Sequence, residues 1–258
     1  MKITRLLFLL LSITLLLFIS ACSDDDNDGG ISSPPEITPD AYDWAIYLIQ
    51  TNEVFNKTDE FMIVLEWLGD DSAISETDDF ALKIDGEIHA LSGSNYFGEW
   101  IFSAYADLEA GNQYNFEFFK NDNRISNARL QLPYQIDIIQ FPDTFDPSTT
   151  TSLEWNLEND NQYQIISAMS YDPAEFDQED EWEVVIPPSY RSYTIPPNAV
   201  TDFGPTTTYE LLLTQINFTK TGRTAYLAGS ITEKFYGEDI PVKLRMDIFR
   251  KITKRIFF

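Results

Sequence analysis

The chain has 258 residues, with 42 Asp and Glu against 17 Lys and Arg and a formal net charge of −25. So acidic a surface repels nucleic acid and anionic headgroups, which excludes nucleic-acid binding. A single cysteine excludes an intrachain disulfide framework, while the length suits one large or two ordinary domains.

The first residues read as a secretory signal. Lys2 and Arg5 precede an apolar run from Leu6 to Ile19, and the small residues Ser20 and Ala21 lead into Cys22. The run is shorter than the roughly 20 residues that span a bilayer core. Cys22, the only cysteine, stands directly after the small residues. This arrangement resembles the lipobox of bacterial lipoprotein signals. The resemblance implies removal of residues 1–21, a diacylglyceryl group on the Cys22 sulfur and an acylated new amino terminus. Two or three acyl chains anchor stably where one does not. The thiol is then consumed by lipid and unavailable for catalysis, metal binding or a disulfide.

Ser23, Asp24, Asp25 and Asp26 follow. Serine and an acidic run resemble the export signal of Bacteroidetes-type surface lipoproteins. That resemblance implies an outer-membrane, lipid-anchored protein facing the cell exterior. A plainly solvated tether has the same composition. Residues 22–40 are rich in Asp, Gly, Ser and Pro, and are expected to form a disordered tether.

From Tyr42 on the pattern is that of strands. Tyr42, Trp44, Ile46 and Leu48 alternate, and residues 61–67 are β-branched and aromatic. Phe80, Leu82 and Ile84 alternate before Asp85-Gly86, a hairpin signal. Trp100, Phe102 and Tyr105 lead to Tyr114, Phe116 and Phe118. Asn121 to Asn123 read as a turn, and residues 125–132 return. Leu153, Trp155 and Leu157 open a second series, which continues through 163–167, 209–213, 224–231 and 242–249. No segment keeps a helical period. Short strands separated by turn signals predict an all-β chain of two tandem immunoglobulin-like β-sandwich domains, at 41–136 and 137–258.

Two local matches support a repeat. Leu65-Glu66-Trp67 recurs as Leu153-Glu154-Trp155. Residues 108–114, with Leu108, Gly111 and Tyr114, resemble the tyrosine corner of fibronectin type III domains. The resemblance implies a phenol that satisfies backbone groups at the sandwich corner. Tyr209 is the candidate for the same place in the second half, without the preceding glycine. A likeness at this level bears on fold and carries no function.

Candidate chemistry is sparse. His89 is the only histidine and falls in an apparent strand, with no nucleophile signature near it. The acids Asp172, Glu175, Asp177, Glu179, Asp180 and Glu181 precede Trp182. This loop is the candidate ligand surface, for calcium through its oxygens or for a glycan through ring stacking and carboxylates. A solvated acidic loop, with Trp182 opening a core strand, is the plainer reading. Lys243, Arg245, Arg250, Lys251, Lys254 and Arg255 crowd residues 243–258 against Asp247 alone. They mark either a segment lying against acidic neighbours or a docking patch for a partner.

The sequence therefore points to a lipid-anchored binding protein, for glycan capture or adhesion, with an outer-membrane protein as a possible partner. A carboxylate-dependent hydrolase and a purely structural lipoprotein are the rival classes. No cofactor other than calcium is indicated.

Overall fold

The computed structural model describes residues 33–51, 60–69, 74–75, 77–96, 99–171, 179–204 and 207–237. These residues contain fourteen strands and no helix. The first seven are β1 (Trp44–Thr51), β2 (Glu60–Trp67), β3 (Phe80–Ile84), β4 (Glu87–Tyr96), β5 (Glu99–Asp107), β6 (Gln113–Lys120) and β7 (Asn123–Gln131). The next seven are β8 (Asp137–Gln140), β9 (Thr151–Asn156), β10 (Tyr163–Tyr171), β11 (Glu179–Ile186), β12 (Ser192–Ile195), β13 (Thr208–Thr221) and β14 (Thr224–Tyr236).

The first series pairs in the order β1-β2-β5-β4-β3-β6-β7. β4 changes partner along its length, with Glu87 to Leu91 opposite β3 and Ser92 to Tyr96 opposite β5. One ribbon thus folds into two layers, β1-β2-β5 with the end of β4, and the start of β4 with β3-β6-β7. This is the strand arrangement of an immunoglobulin-like sandwich. Phe61, Ile63 and Leu65 of one layer and Leu82, Phe116 and Phe118 of the other meet in one core. The second series forms a three-stranded sheet, β12-β9-β8, over β11-β10-β13-β14. Its core joins Leu153 and Trp155 to Ile166, Leu211 and Leu213.

The turns follow local chemistry. Asp85 (φ 45°) and Gly86 (φ 99°) make the two-residue hairpin that their sequence predicts, and Asn121 and Asp122 (φ 49° and 61°) make the next. Leu65-Glu66-Trp67 and Leu153-Glu154-Trp155 both lie on the second strand of their series. Trp155 is fully buried, and Trp67 is half-buried against Trp44 at 4.5 Å between centroids. Tyr114, second residue of β6, accepts a hydrogen bond from the Glu109 N–H at 2.9 Å, so the tyrosine corner is present. Tyr209 is likewise the second residue of β13. Its phenol lies against Asp202 and is pushed up to about 12, first by burial and then by that carboxylate.

β1 also pairs in parallel with β14, from Trp44 opposite Thr224 to Thr51 opposite Ile231. The two halves consequently share a sheet, β11-β10-β13-β14-β1-β2-β5. Tyr226 and Ala228 of β14 belong to the first core. Ser126 of β7 and the Tyr226 hydroxyl lie 2.6 Å apart in that core. Asn217 donates to the Gln131 carbonyl at 3.0 Å, and the Tyr134 N–H donates to Asn161 at 3.1 Å. Segment 132–136 is thereby hydrogen-bonded to both halves, since the Leu132 N–H donates to the Asn112 carbonyl and the Gly111 N–H to the Pro133 carbonyl. The predicted strand 242–249 lies outside the described residues.

Asp78 ties the approach to β3 onto the β6–β7 turn. It accepts from the Ser75 N–H at 2.9 Å, from Asn121 at 2.8 Å and from Lys120 at 2.9 Å. These bonds, the Ser75 amide foremost, hold its carboxyl at about 2. A depressed carboxyl stabilises fully above its unfolded value of about 3.9 and loses that contribution as pH falls through about 2. The gap between the melting temperatures of wild type and Asp78→Asn should therefore be full at pH 6 and shrink steeply as pH falls from about 4 to 2. A difference undiminished between pH 6 and pH 2 would contradict this assignment.

Candidate binding cleft

The change of partner along β4 opens the first sandwich at one side. Pairing with β5 begins at Ser92 opposite Ser103. Upstream, β4 follows β3 into one layer, while Ala104 to Asp107 stay with β2 in the other. Gly93 lies at the divergence, opposite Phe102. A Cβ there would come within 2.7 Å of the Phe102 ring, so the ring can lie across the strand only over glycine.

The gap is a cleft of about 450 Å³, lined by Ile84, Asp85, Glu87, His89, Tyr105, Ala106, Asp107, Leu108 and Tyr114. Glu87 and His89 stand opposite Ile84 and Leu82, which are core residues, so they face inward at the edge of their layer. Inward polar side chains also guard an edge strand against pairing with another chain. Tyr105, 49% exposed, and Asp107 alternate with the core residue Ala106, so they stand on the other face of β5 and border the cleft from its rim.

Two of the polar groups are committed to the fold. Asp85 accepts from the Asn115 N–H at 2.9 Å and its amide at 2.7 Å, which together hold its carboxyl below the usual range. Tyr114 is held by Glu109 as described. Glu87, Asp107 and His89 complete the polar lining. The lining offers two further carboxylates, an imidazole and two tyrosines, groups that suit a ligand with many hydroxyls: acids accept hydroxyl protons and rings cover apolar faces. The cleft lies within the 300 to 1,000 Å³ usual for small-ligand sites.

The acidic loop is only partly described. Asp172, Glu175 and Asp177 lie outside the described residues, and only the backbone of Glu179 is described. Asp180 accepts from the Thr201 N–H at 2.8 Å and hydroxyl at 2.6 Å, which fixes the start of β11. Trp182 is half-buried, packs on the second core and lies 6.1 Å from the Tyr193 ring. Glu181 alternates to the opposite face of β11, opposite Met169. The three are thus divided between two faces of one strand. Among the described residues no group of three His, Cys, Asp or Glu is arranged to hold a metal ion. Cys22, Ser23, Asp24, Asp25 and Asp26 lie outside the described residues.

A smaller cleft of about 270 Å³ lies where the halves meet, among Gln113, Arg129, Gln131, Asp160, Asn161, Gln162, Asn217 and Phe218. Its amides serve the fold. Gln162 accepts from the Phe218 N–H at 2.8 Å, and Asn217 accepts from the Gln162 N–H at 2.8 Å. Asp160 is engaged by Arg191 at 2.6 Å.

Strand order and the tyrosine corner define an all-β protein of the immunoglobulin-like sandwich class. No family model matches the chain, and no curated protein matches it. Solved structures similar to it include two crystal forms of a cytokine receptor complex. The first is 8% identical over 78% of this chain and 100% of that one, with a TM-score of 0.29. The second is 7% identical over 67% and 91%, also at 0.29. The FN1-FN3 domains of chicken CNTN1 are 11% identical over 80% and 69%, with a TM-score of 0.25. Likenesses this distant carry no argument about what the chain binds.

Proposed function

We propose that this is a lipid-anchored binding protein of the cell exterior, which takes a hydroxyl-rich ligand of the glycan class in the β4–β5 cleft. The observation that carries the ligand reading is the cleft itself, whose lining includes Glu87, His89, Asp107 and two tyrosines. Binding by the purified protein to a glycan panel tests it. A hydrolase at this cleft would draw its carboxylates from Glu87 and Asp107. Release of reducing ends from a bound glycan, abolished in Glu87→Gln, would turn the binding reading into a catalytic one.

The anchor rests on the basic start, the apolar run and Cys22 in the sequence. Cys22→Ser should leave the signal uncleaved and move the protein out of the lipoprotein fraction, which detergent partitioning and intact mass read directly. An unchanged mature mass would sink the anchor. The acidic residues Asp24 to Asp26 support display on the outer face, with an outer-membrane protein as the natural neighbour of a tethered glycan binder.

A further inference from the structure

The lining of the β4–β5 cleft is rich in acceptors and poor in donors. Asp85, Glu87 and Asp107 give it three carboxylates, and its side-chain donors are one imidazole and two phenols. Among the described residues, no Lys, Arg, Asn or Gln lines it. Glu87 comes from β4 and Asp107 from β5, so each of the diverging strands contributes an acid.

The fold leaves these charges in place. Among the described residues, no hydrogen bond or ion pair engages the side chains of Glu87, His89 or Asp107. Asp85 is bonded to Asn115, a neutral partner, and those bonds hold its carboxyl below the usual range, so it is ionised at neutral pH. Arg129 also lowers Asp85 through its charge, but it lines the smaller cleft where the halves meet.

A ligand of such a lining must bring donors. A hydroxyl donates one proton, whereas an ammonium donates three and carries the opposite charge. A carboxylate or sulfate brings only acceptors and the charge of the lining itself. The chain's net charge of −25 repels such groups before contact. We propose, resting on the reading of this cleft as the glycan site, that its ligand is an amino glycan, a run of sugars bearing free ammonium groups. Glu87 and Asp107 accept ammonium protons, and the exposed Tyr105 ring at the rim offers its face to a cation. Neutral and N-acetylated sugars bind more weakly, and uronic or sulfated ones are turned away.

Calorimetry of the purified protein tests this with three probes of one length: a glucosamine tetramer with free amines, its fully N-acetylated counterpart and a galacturonic acid tetramer. At about pH 6 the amines are charged and the carboxylates ionised. Exposed ion pairs are individually weak and screened by salt. The free-amine tetramer should therefore bind several-fold tighter than the N-acetylated one at about 0.01 M salt, and lose most of that advantage at about 1 M. The galacturonic acid tetramer should give no heat. Glu87→Gln with Asp107→Asn should erase the preference. Glu154→Gln with Glu158→Gln, exposed acids of the second sandwich, changes the net charge equally and should keep it. Equal affinity for the free-amine and N-acetylated tetramers would overturn the inference and leave the cleft standing as a glycan site. A preference that falls equally in both variants would assign the attraction to net charge and overturn it too. Binding of the galacturonic acid tetramer, or heat from none of the three, would also overturn it, whatever the wider glycan panel returns for the cleft.

Discussion

Trp155→Ala should unfold the second sandwich at a markedly lower denaturant concentration. Trp155 is fully buried in the second core, and its indole N–H donates to Gln164 at 2.9 Å. Deleting a buried Trp side chain costs about 3–5 kcal/mol. The loss of its hydrogen bond disturbs more than one contact. Gln215 also donates to the Gln164 side-chain oxygen Oε1, and the Gln164 side-chain amide donates to the backbone carbonyls of Pro187 and Pro188 at 3.0 and 3.1 Å. The turn before β12 therefore hangs on the same side chain. Domains are stable by only about 5–15 kcal/mol, so the variant should sit near the edge of folding at room temperature. Urea unfolding followed by circular dichroism reads the midpoint shift. Trp155→Phe, which keeps a ring and loses the N–H, should fall between the two. A loss below about 1 kcal/mol for Trp155→Ala would contradict the assignment of Trp155 as the centre of the core.

Tyr226→Ala should weaken both halves in one transition. Tyr226 belongs to the last strand of the second series and lies in the core of the first. Its phenol is buried beside Ser126 and pushed up to about 12 by that burial. Truncation removes an aromatic ring from the first core, at about 3–5 kcal/mol by analogy with Phe. It also leaves the buried Ser126 hydroxyl without this contact. Tyr226→Phe isolates the second effect, an unpaired buried hydroxyl worth about 1–3 kcal/mol. Amide exchange should show strands β3, β6 and β7 losing protection together with β13 and β14. If β13 and β14 keep their protection while the first core opens, the shared sheet does not couple the halves.

Much of this architecture is legible in the residues. Leu65-Glu66-Trp67 and Leu153-Glu154-Trp155 do mark equivalent strands, because the second strand of each sandwich needs the same inward alternation. Asp85-Gly86 and Tyr114 do what their types predict, since turns and corners are set by local chemistry. The β1–β14 pairing leaves no such mark. Its partners lie about 180 residues apart, and the backbone hydrogen bonds that join them are the same for any side chain. One signal does record it. Leu211, Leu212 and Leu213 are all buried, and so are Ala225 to Ala228. Strands with continuous apolar runs are covered on both faces. Read that way, β13 and β14 announce a central position rather than the rim of a second domain. The cleft leaves little mark in the sequence for a related reason. Ser92-Gly93-Ser94 breaks the apolar pattern of β4, and a glycine inside a strand marks a bend or a close approach. His89 was visible as the sole histidine. Its place at the cleft depends on two layers separating, which strand patterning does not register.

The acidic loop and the cleft are rival sites for the same ligand chemistry, and one titration separates them. Isothermal calorimetry of the protein lacking its lipid, against whichever member of a glycan panel it retains, should be run with three proteins. These are wild type, a cleft variant carrying Glu87→Gln and Asp107→Asn, and a loop variant carrying Glu175→Gln and Asp177→Asn. A hydrogen bond to a charged group contributes about 1.5–3 kcal/mol, and 1.4 kcal/mol is tenfold in affinity. The cleft reading predicts at least a tenfold loss in the cleft variant and wild-type affinity in the loop variant, with melting temperatures unchanged in both. Wild-type affinity in the cleft variant, or a loss confined to the loop variant, would contradict it.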